Sequence, residues 1–228
     1  MQSTKSTLFT AQLNLPFYCI QFAPESYNES SFQDYGIAQP NHLQRAVGKR
    51  KAEYLAGRIC AQHCLAQLGY SDFTVHSGED RAPIWPPTVR ASITHTRGIA
   101  AATATTDKAI KGVGIDIERD MAEKQERELQ RQLLHPQEYD LFARLGKHHH
   151  NPLTLIFSAK ESIYKALYST VQCFFGFDAV KLIDFNDHQL QFTVMTPLHQ
   201  SIQPGTSLTV YYQCVEGLVL TECEYRGK

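Results

Sequence analysis

Asp116 and Glu118 sit in the run Gly112-Val113-Gly114-Ile115-Asp116-Ile117-Glu118, where apolar residues alternate with glycine and acid. That period of two predicts a strand with one apolar face, and on the other face two carboxylates roughly 7 Å apart. Like charges so close repel, and are tolerated where water or a cation lies between them. Taken alone, the pair reads as a solvated strand end. A third acid, Glu161, precedes Lys165 by four residues in Phe157-Ser158-Ala159-Lys160-Glu161-Ser162-Ile163-Tyr164-Lys165. Taken alone, this is an ordinary ion pair on a helix surface. Arg50 and Arg58 are eight residues apart in a helical pattern, which returns them to within about 80° of each other. Arg81 opens a stiff loop, Arg81-Ala82-Pro83-Ile84-Trp85-Pro86-Pro87, that holds the only tryptophan as an aromatic anchor. Thr94 and His95 lie at the turn end of a strand-like run, where functional side chains often project, although a lone histidine is more often structural.

These residues need elements to position them. Residues 1–40 are broken by Pro16, Pro24 and Pro40, and predict an initial strand followed by a long surface connection. A helix is expected after Pro40, capped by Asn41 with Gln44 in the capping-box position, and ending at Gly69. Phe73–His76 predicts a short strand. Val89–His95 and Ile99–Thr106 follow as a hairpin around Thr96-Arg97-Gly98, and Ile110–Glu118 as a further strand. The charged stretch 120–132 predicts a solvent-facing helix or flexible connection, and His135-Pro136-Gln137-Glu138 another helix start. A second strong helix begins at Asn151-Pro152 and continues to Ser169, with Ile156, Ile163 and Leu167 on its apolar stripe and Phe157, Glu161 and Lys165 along another line. Val180–Phe185, Gln189–Thr196, Ser207–Cys214 and Gly217–Glu224 predict an antiparallel meander. The fold class is α+β, with one long helix and several antiparallel strands in each half.

Composition narrows the function classes. At 228 residues, with 43% hydrophobic and 20% charged residues, the chain is an ordinary globular protein with a sizeable core. Its net charge of -1 gives no argument for nucleic acid as a partner. The charge is uneven. Residues 1–111 carry 11 Lys and Arg against 8 Asp and Glu, whereas residues 112–228 carry 11 against 15. A basic half joined to an acidic half suits an anionic ligand that carries a metal cation. The six cysteines form no CxxC pair and read as reduced core thiols. His148-His149-His150 reads as a solvated loop, because consecutive residues point in different directions. No signal peptide and no transmembrane segment is visible, so the expected location is cytoplasmic.

GVGIDIE followed some forty residues later by FSAKESIYK resembles the paired signature of the Sfp-type 4'-phosphopantetheinyl transferases. RKAEYLAGR, RAPIWPP and SITHTRG narrow the resemblance to the enterobactin synthase component D branch, over about residues 45–175. The family usually has tryptophan at the position of Phe157, and this branch commonly has phenylalanine. The resemblance implies two similar α/β halves related by a pseudo-twofold axis, here 1–111 and 112–228, with coenzyme A and Mg2+ in the cleft between them. It implies that Asp116, Glu118 and Glu161 are magnesium ligands, and that Arg50, Arg58 and Arg81 bind the 3'-phosphate and adenylate side of coenzyme A. Thr94 and His95 match a motif that contacts its phosphates, and Lys160 and Lys165 match lysines facing the pyrophosphate. Asp116, Glu161 and Lys165 form the implied catalytic set, with Glu161 as general base.

The implied reaction moves phosphopantetheine to a serine of an apo acyl, peptidyl or aryl carrier protein and releases adenosine 3',5'-bisphosphate, as in siderophore synthesis. The protein is expected to be a monomer with no nucleic-acid partner, its Val171–Phe177 stretch serving either as a carrier-docking surface or as a core strand entry. Peripheral association with a synthase complex or membrane is left open. Two other classes use the same residues: a magnesium-dependent phosphohydrolase or nucleotidyl transferase, and a non-catalytic coenzyme A-binding module.

Overall fold

In the computed structural model, which describes residues 1–227, the chain forms two units, Met1–Lys108 and Ala109–Lys228. Each is a twenty-residue helix laid on an antiparallel sheet.

The first unit contains β1 (Ser3–Lys5), β2 (Phe17–Phe22), the short helix α1 (Ser31–Asp34), the long helix α2 (Gly48–Gln67), β3 (Arg90–Thr96) and β4 (Ile99–Thr105). The strand order is β1-β2-β4-β3, antiparallel throughout. β4 reads Ile-Ala-Ala-Ala-Thr-Ala-Thr and is wholly buried. Ala100, Ala102 and Ala104 form the floor of the core, and such small side chains let α2 come close. Cys60 and Cys64 of α2 donate their S–H groups to the carbonyls of Ala100 and Ala102, at 3.3 and 3.2 Å.

Two expectations for this unit fail for local reasons. Asn41 caps no long helix. Residues Asn41–Leu43 form a 3-10 turn, the Gln44 amide nitrogen is spent on Asn41 Oδ1 at 3.3 Å, and α2 starts only after the extended Val47. Phe73–His76 forms no strand, since the Val75 carbonyl accepts from Arg58 Nε at 3.0 Å instead of from a neighbouring strand.

The second unit contains β5 (Gly112–Arg119), α3 (Glu123–Leu133), α4 (Tyr139–Leu145), α5 (Pro152–Val171), β6 (Val180–Phe185), β7 (Gln189–Val194), β8 (Ser207–Val215) and β9 (Leu218–Tyr225). The meander β6 to β9 is present as expected, and β5 adds beside β9 to give the order β5-β9-β8-β7-β6. The tight turn into β9 is Glu216-Gly217, both at positive φ (52° and 71°), a geometry that matches the twist of a hairpin. Ile156, Ile163 and Leu167 of α5 are fully buried in this unit's core, and each contributes roughly 2 kcal/mol by apolar burial.

The solvated-loop reading of the histidine run holds for His148 and His150, which are exposed. It fails for His149, whose Nε2 lies 2.8 Å from the Tyr212 hydroxyl. The cysteines divide as well: four are buried thiols, but Cys173 and Cys214 are exposed. Among the described residues, no helix is long and apolar enough to cross a membrane.

Candidate functional site

The alternation in β5 gains its meaning from α5. A Cβ placed on Gly112 would collide with the Ala166 carbonyl, and one on Gly114 with the Ser162 carbonyl. Only glycine lets the helix backbone rest directly on the strand. The glycines therefore mark the face of β5 that α5 covers. The same face continues into Asp116 and Glu118, and there α5 presents Glu161 and Lys165.

Lys165 Nζ donates to Asp116 Oδ1 at 2.7 Å and to the Ile115 carbonyl at 3.0 Å. Asp116 is 4% exposed, whereas Glu118, Glu161 and Lys165 remain partly open. Burial pushes the Glu118 carboxyl up from 4.5 to about 7, with the Asp116 and Glu161 charges adding to the rise and Lys165 opposing it. Glu161 is also raised, first by burial and then by Asp116, against the pull of Lys165. Three carboxylates from two elements thus lie near enough to feel one another's charge beside a single ammonium, an arrangement that a further cation would relieve.

The donor set fits Mg2+. It consists of hard carboxylate oxygens, and this ion is commonly bound by one or two carboxylates plus substrate phosphates and water. Among the described residues, no three acidic, histidine or cysteine side chains converge as a ready-made metal cage. A cation here would share its shell with a ligand's oxygens and compete with Lys165 for Asp116.

Lys160 is not part of this group. Its ammonium is buried, bonded to Leu133 O at 2.6 Å, Glu138 Oε2 at 2.9 Å and Phe177 O at 3.2 Å. This corrects the expectation that it faces a pyrophosphate. The three donors of an ammonium are all spent inside the unit.

In the first unit a cavity of about 360 Å3 is lined by Arg50, Arg58, Arg81 and His95. It has the size of a small-molecule site. Arg58, only 6% exposed, is fixed by Val75 O at 3.0 Å and Ser77 Oγ at 3.3 Å, with its guanidinium 4.3 Å from the centre of the Tyr54 ring. Burial lowers its pKa, and an arginine stays charged at neutral pH all the same. Arg50 Nη1 lies 3.2 Å from His95 Nε2. A guanidinium only donates, so His95 accepts there and carries its proton on Nδ1. Arg81 is exposed and has a left-handed backbone, φ +67°, at the end of the Gly78–Arg81 turn. Thr94 does not line this cavity. It neighbours His95 on β3, so its side chain points to the opposite face of the sheet.

Sequence reasoning missed four polar wall residues: His42, Glu53, Tyr54 and Ser77. Tyr54 was within reach, because it lies midway between Arg50 and Arg58 at four-residue spacing and so shares their helix face. Three guanidiniums against one carboxylate leave this cavity with a positive balance suited to an anion, and the planar forks suit phosphate oxygens.

Residues 39–105 match the family model of the 4'-phosphopantetheinyl transferase N-terminal domain, and residues 112–219 that of the 4'-phosphopantetheinyl transferase superfamily. The chain is 33% identical over 221 residues to enterobactin synthase component D of Escherichia coli (strain K12), covering 95% of this chain and 98% of the relative. It is 31% identical over 209 residues to the protein of the same name in Salmonella typhi, covering 90% and 87%. It is also 33% identical over 141 residues to 4'-phosphopantetheinyl transferase Npt of Nocardia iowensis, covering 62% of each chain.

Proposed function

The chain belongs to the 4'-phosphopantetheinyl transferase superfamily, and from that premise we propose that it moves the phosphopantetheine arm of coenzyme A onto a serine of an apo carrier protein. The carriers are those of siderophore or other non-ribosomal peptide assembly, by analogy with relatives named enterobactin synthase component D. The observation that carries the reading is the packing of Glu161 and Lys165 against Asp116 and Glu118, made possible by Gly112 and Gly114.

In this reading the arginine cavity of the first unit takes the 3'-phosphate and adenylate end of coenzyme A, with Arg58 fixed in advance and Arg50, Arg81 and His95 at the wall. Asp116, Glu118 and Glu161 would hold Mg2+, which supplies charge neutralisation at the pyrophosphate. Glu161 removes the proton of the serine hydroxyl, directly or through a water. The serine oxygen bonds to the phosphorus nearest the pantetheine. The bond from that phosphorus to the bridging oxygen breaks, and adenosine 3',5'-bisphosphate leaves with the electron pair. The Lys165 ammonium would offset charge on the phosphate oxygens, at the expense of its bond to Asp116. Phe174, 83% exposed beside Tyr164 and Phe175, gives the carrier an aromatic anchor just beyond α5.

The test is to incubate the protein with coenzyme A, Mg2+ and an apo carrier protein and to measure the carrier's mass. A gain of about 340 Da, one phosphopantetheine on a serine hydroxyl, is expected. Release of inorganic phosphate, or coenzyme A binding without any change in carrier mass, would overturn the reading.

A further inference from the structure

Lys160 and Glu138 are the one ion pair, among those the structure describes, whose two side chains are both fully buried. The ammonium gives its three donors to Glu138 Oε2, to the carbonyl of Leu133 at the end of α3, and to the carbonyl of Phe177 ahead of β6. Glu138 in turn accepts from the backbone N–H of His135 through Oε2 and from that of Leu182 in β6 through Oε1, both at 2.5 Å. One side chain of α5 thereby ties the helix to three other segments.

Stability is a poor account of such a pair. Desolvating two charges offsets most of their attraction, and apolar residues of similar volume often serve the fold as well or better. What the pair supplies is geometry. Residues 160 and 161 are neighbours on α5, about 100° apart around its axis. Any rotation or slide that draws Lys160 from its socket also moves Glu161 and Lys165 relative to β5. Glycines 112 and 114 fix how near the helix lies to the sheet, and Ser158 ties it to Thr221 of β9, whereas Lys160 ties it to the end of α3, the Glu138 turn and the approach to β6.

We propose that the Lys160–Glu138 pair is a positioning device for the transfer reaction: it sets the rotation of α5 so that Glu161 and Lys165 meet Asp116 and Glu118. The inference rests on the assignment of Glu161 as base given above.

The experiment compares the full-length wild type with Lys160→Met, Glu138→Gln, the apolar double variant Lys160→Met/Glu138→Leu, and Glu161→Gln as reference. Melting temperature is measured for each, with kcat and the KM for coenzyme A at saturating carrier and Mg2+. Lys160→Met alone leaves a buried carboxylate unpaired and should lower the melting temperature, whereas the double variant should regain part of it, since the N–H groups of His135 and Leu182 then lose their acceptor. In the double variant kcat should still fall by about tenfold or more, the cost of a small misplacement of reacting groups, with the KM for coenzyme A within about twofold of wild type.

A double variant with wild-type melting temperature and wild-type kcat overturns the inference, because the pair would then serve stability alone. So does a raised KM in Lys160→Met beside an unchanged Glu138→Gln, because Lys160 would then act on the substrate itself. Should the double variant fail to fold, Glu138→Gln decides. It keeps the shape and one acceptor, so a reduced kcat at unchanged KM supports positioning, and a lowered melting temperature with wild-type kcat overturns it. Near-normal transfer by Glu161→Gln would sink the base assignment. An inactive Glu161→Gln beside a fully active, stable double variant would sink only the positioning.

Discussion

The two units solve different electrostatic problems with the same architecture, a twenty-residue helix on an antiparallel sheet. In the first unit, three arginines and one glutamate line an open cavity, and two of the arginines are steadied by neighbours: Arg58 by carbonyl, hydroxyl and ring, Arg50 by His95 and Glu53. In the second, three acids and a lysine are pressed together where helix meets strand, and burial itself raises the pKa values of Glu118 and Glu161. The lesson is that a cation-lined cavity is ready for an anion as it stands, whereas a carboxylate cluster is strained until a cation joins it. In the proposed function the first arrangement governs binding and the second governs chemistry. That contrast can be broken by experiment.

The largest effect is expected at Glu161. Glu161→Gln should lower kcat by at least about a hundredfold at saturating coenzyme A and Mg2+, with little change in the KM for coenzyme A. A variant retaining near-normal turnover would remove the chemical role from the second unit.

Next are the glycines at the two helix–sheet contacts. Gly114→Ala drives a methyl group into the Ser162 carbonyl, which is backbone and cannot step aside. It should cost about 3 kcal/mol or more in a denaturant titration and also depress turnover. Gly57→Ala in the first unit meets the Ile93 Cγ2 methyl at 2.7 Å, a side-chain atom that can shift. About 1 kcal/mol is expected there. Equal costs would mean that the two helix–sheet contacts are equally tight.

Arg81→Asn suits the left-handed backbone at this position and removes the charge. The KM for coenzyme A should rise about tenfold, the scale of one charge-assisted hydrogen bond, while kcat stays near wild type. A fall in kcat alone would place Arg81 with the chemistry.

A smaller effect should appear in stability against pH. The Glu118 carboxyl binds its proton more tightly in the folded protein, with a pKa of about 7, than in the unfolded chain, at 4.5. Its contribution to stability is therefore fully present below about 4.5 and is lost as pH rises through about 7. Mg2+ can occupy only the ionised cluster. Millimolar Mg2+ should accordingly raise the melting temperature more at about pH 8 than at about pH 5.5. An equal rise at both pH values would separate the metal from these carboxylates.

The smallest change is expected outside both clusters. Phe174→Ala should raise the KM for the carrier about fivefold and leave the KM for coenzyme A unchanged.

Much of this was legible in the residues, for reasons that differ by element. Alternation placed Asp116 and Glu118 on one face of a strand, and four-residue spacing joined Glu161 to Lys165. Both periods are properties of the backbone and need no tertiary information. The same alternation would have separated Thr94 from His95 had it been applied to them. Lys160 was misjudged because neighbours on a helix point in different directions, and which direction is buried depends on distant segments. Here those are the end of α3 and the turn holding Glu138. His135-Pro136-Gln137-Glu138 announced a helix start, and the structure does give it a capping box, yet the same Glu138 also receives Lys160. The carboxylate oxygen that accepts from the turn's own backbone also accepts from Lys160, and the second oxygen takes the Leu182 N–H, partners that local spacing does not reveal. The start of α2 moved because Asn41 and Gln44 satisfied each other within a single turn.

The sequence by itself determined the elements, the antiparallel α+β class and the side-chain types available for phosphate and metal, since these follow from local periods and donor chemistry. Only the tertiary structure decided that Gly112 and Gly114 serve the approach of a helix, that Arg58 is fixed by a loop carbonyl, and that Lys160 is a buried brace. Each of these depends on what a distant segment places against the residue, and burial and electrostatic pairing are set by that contact.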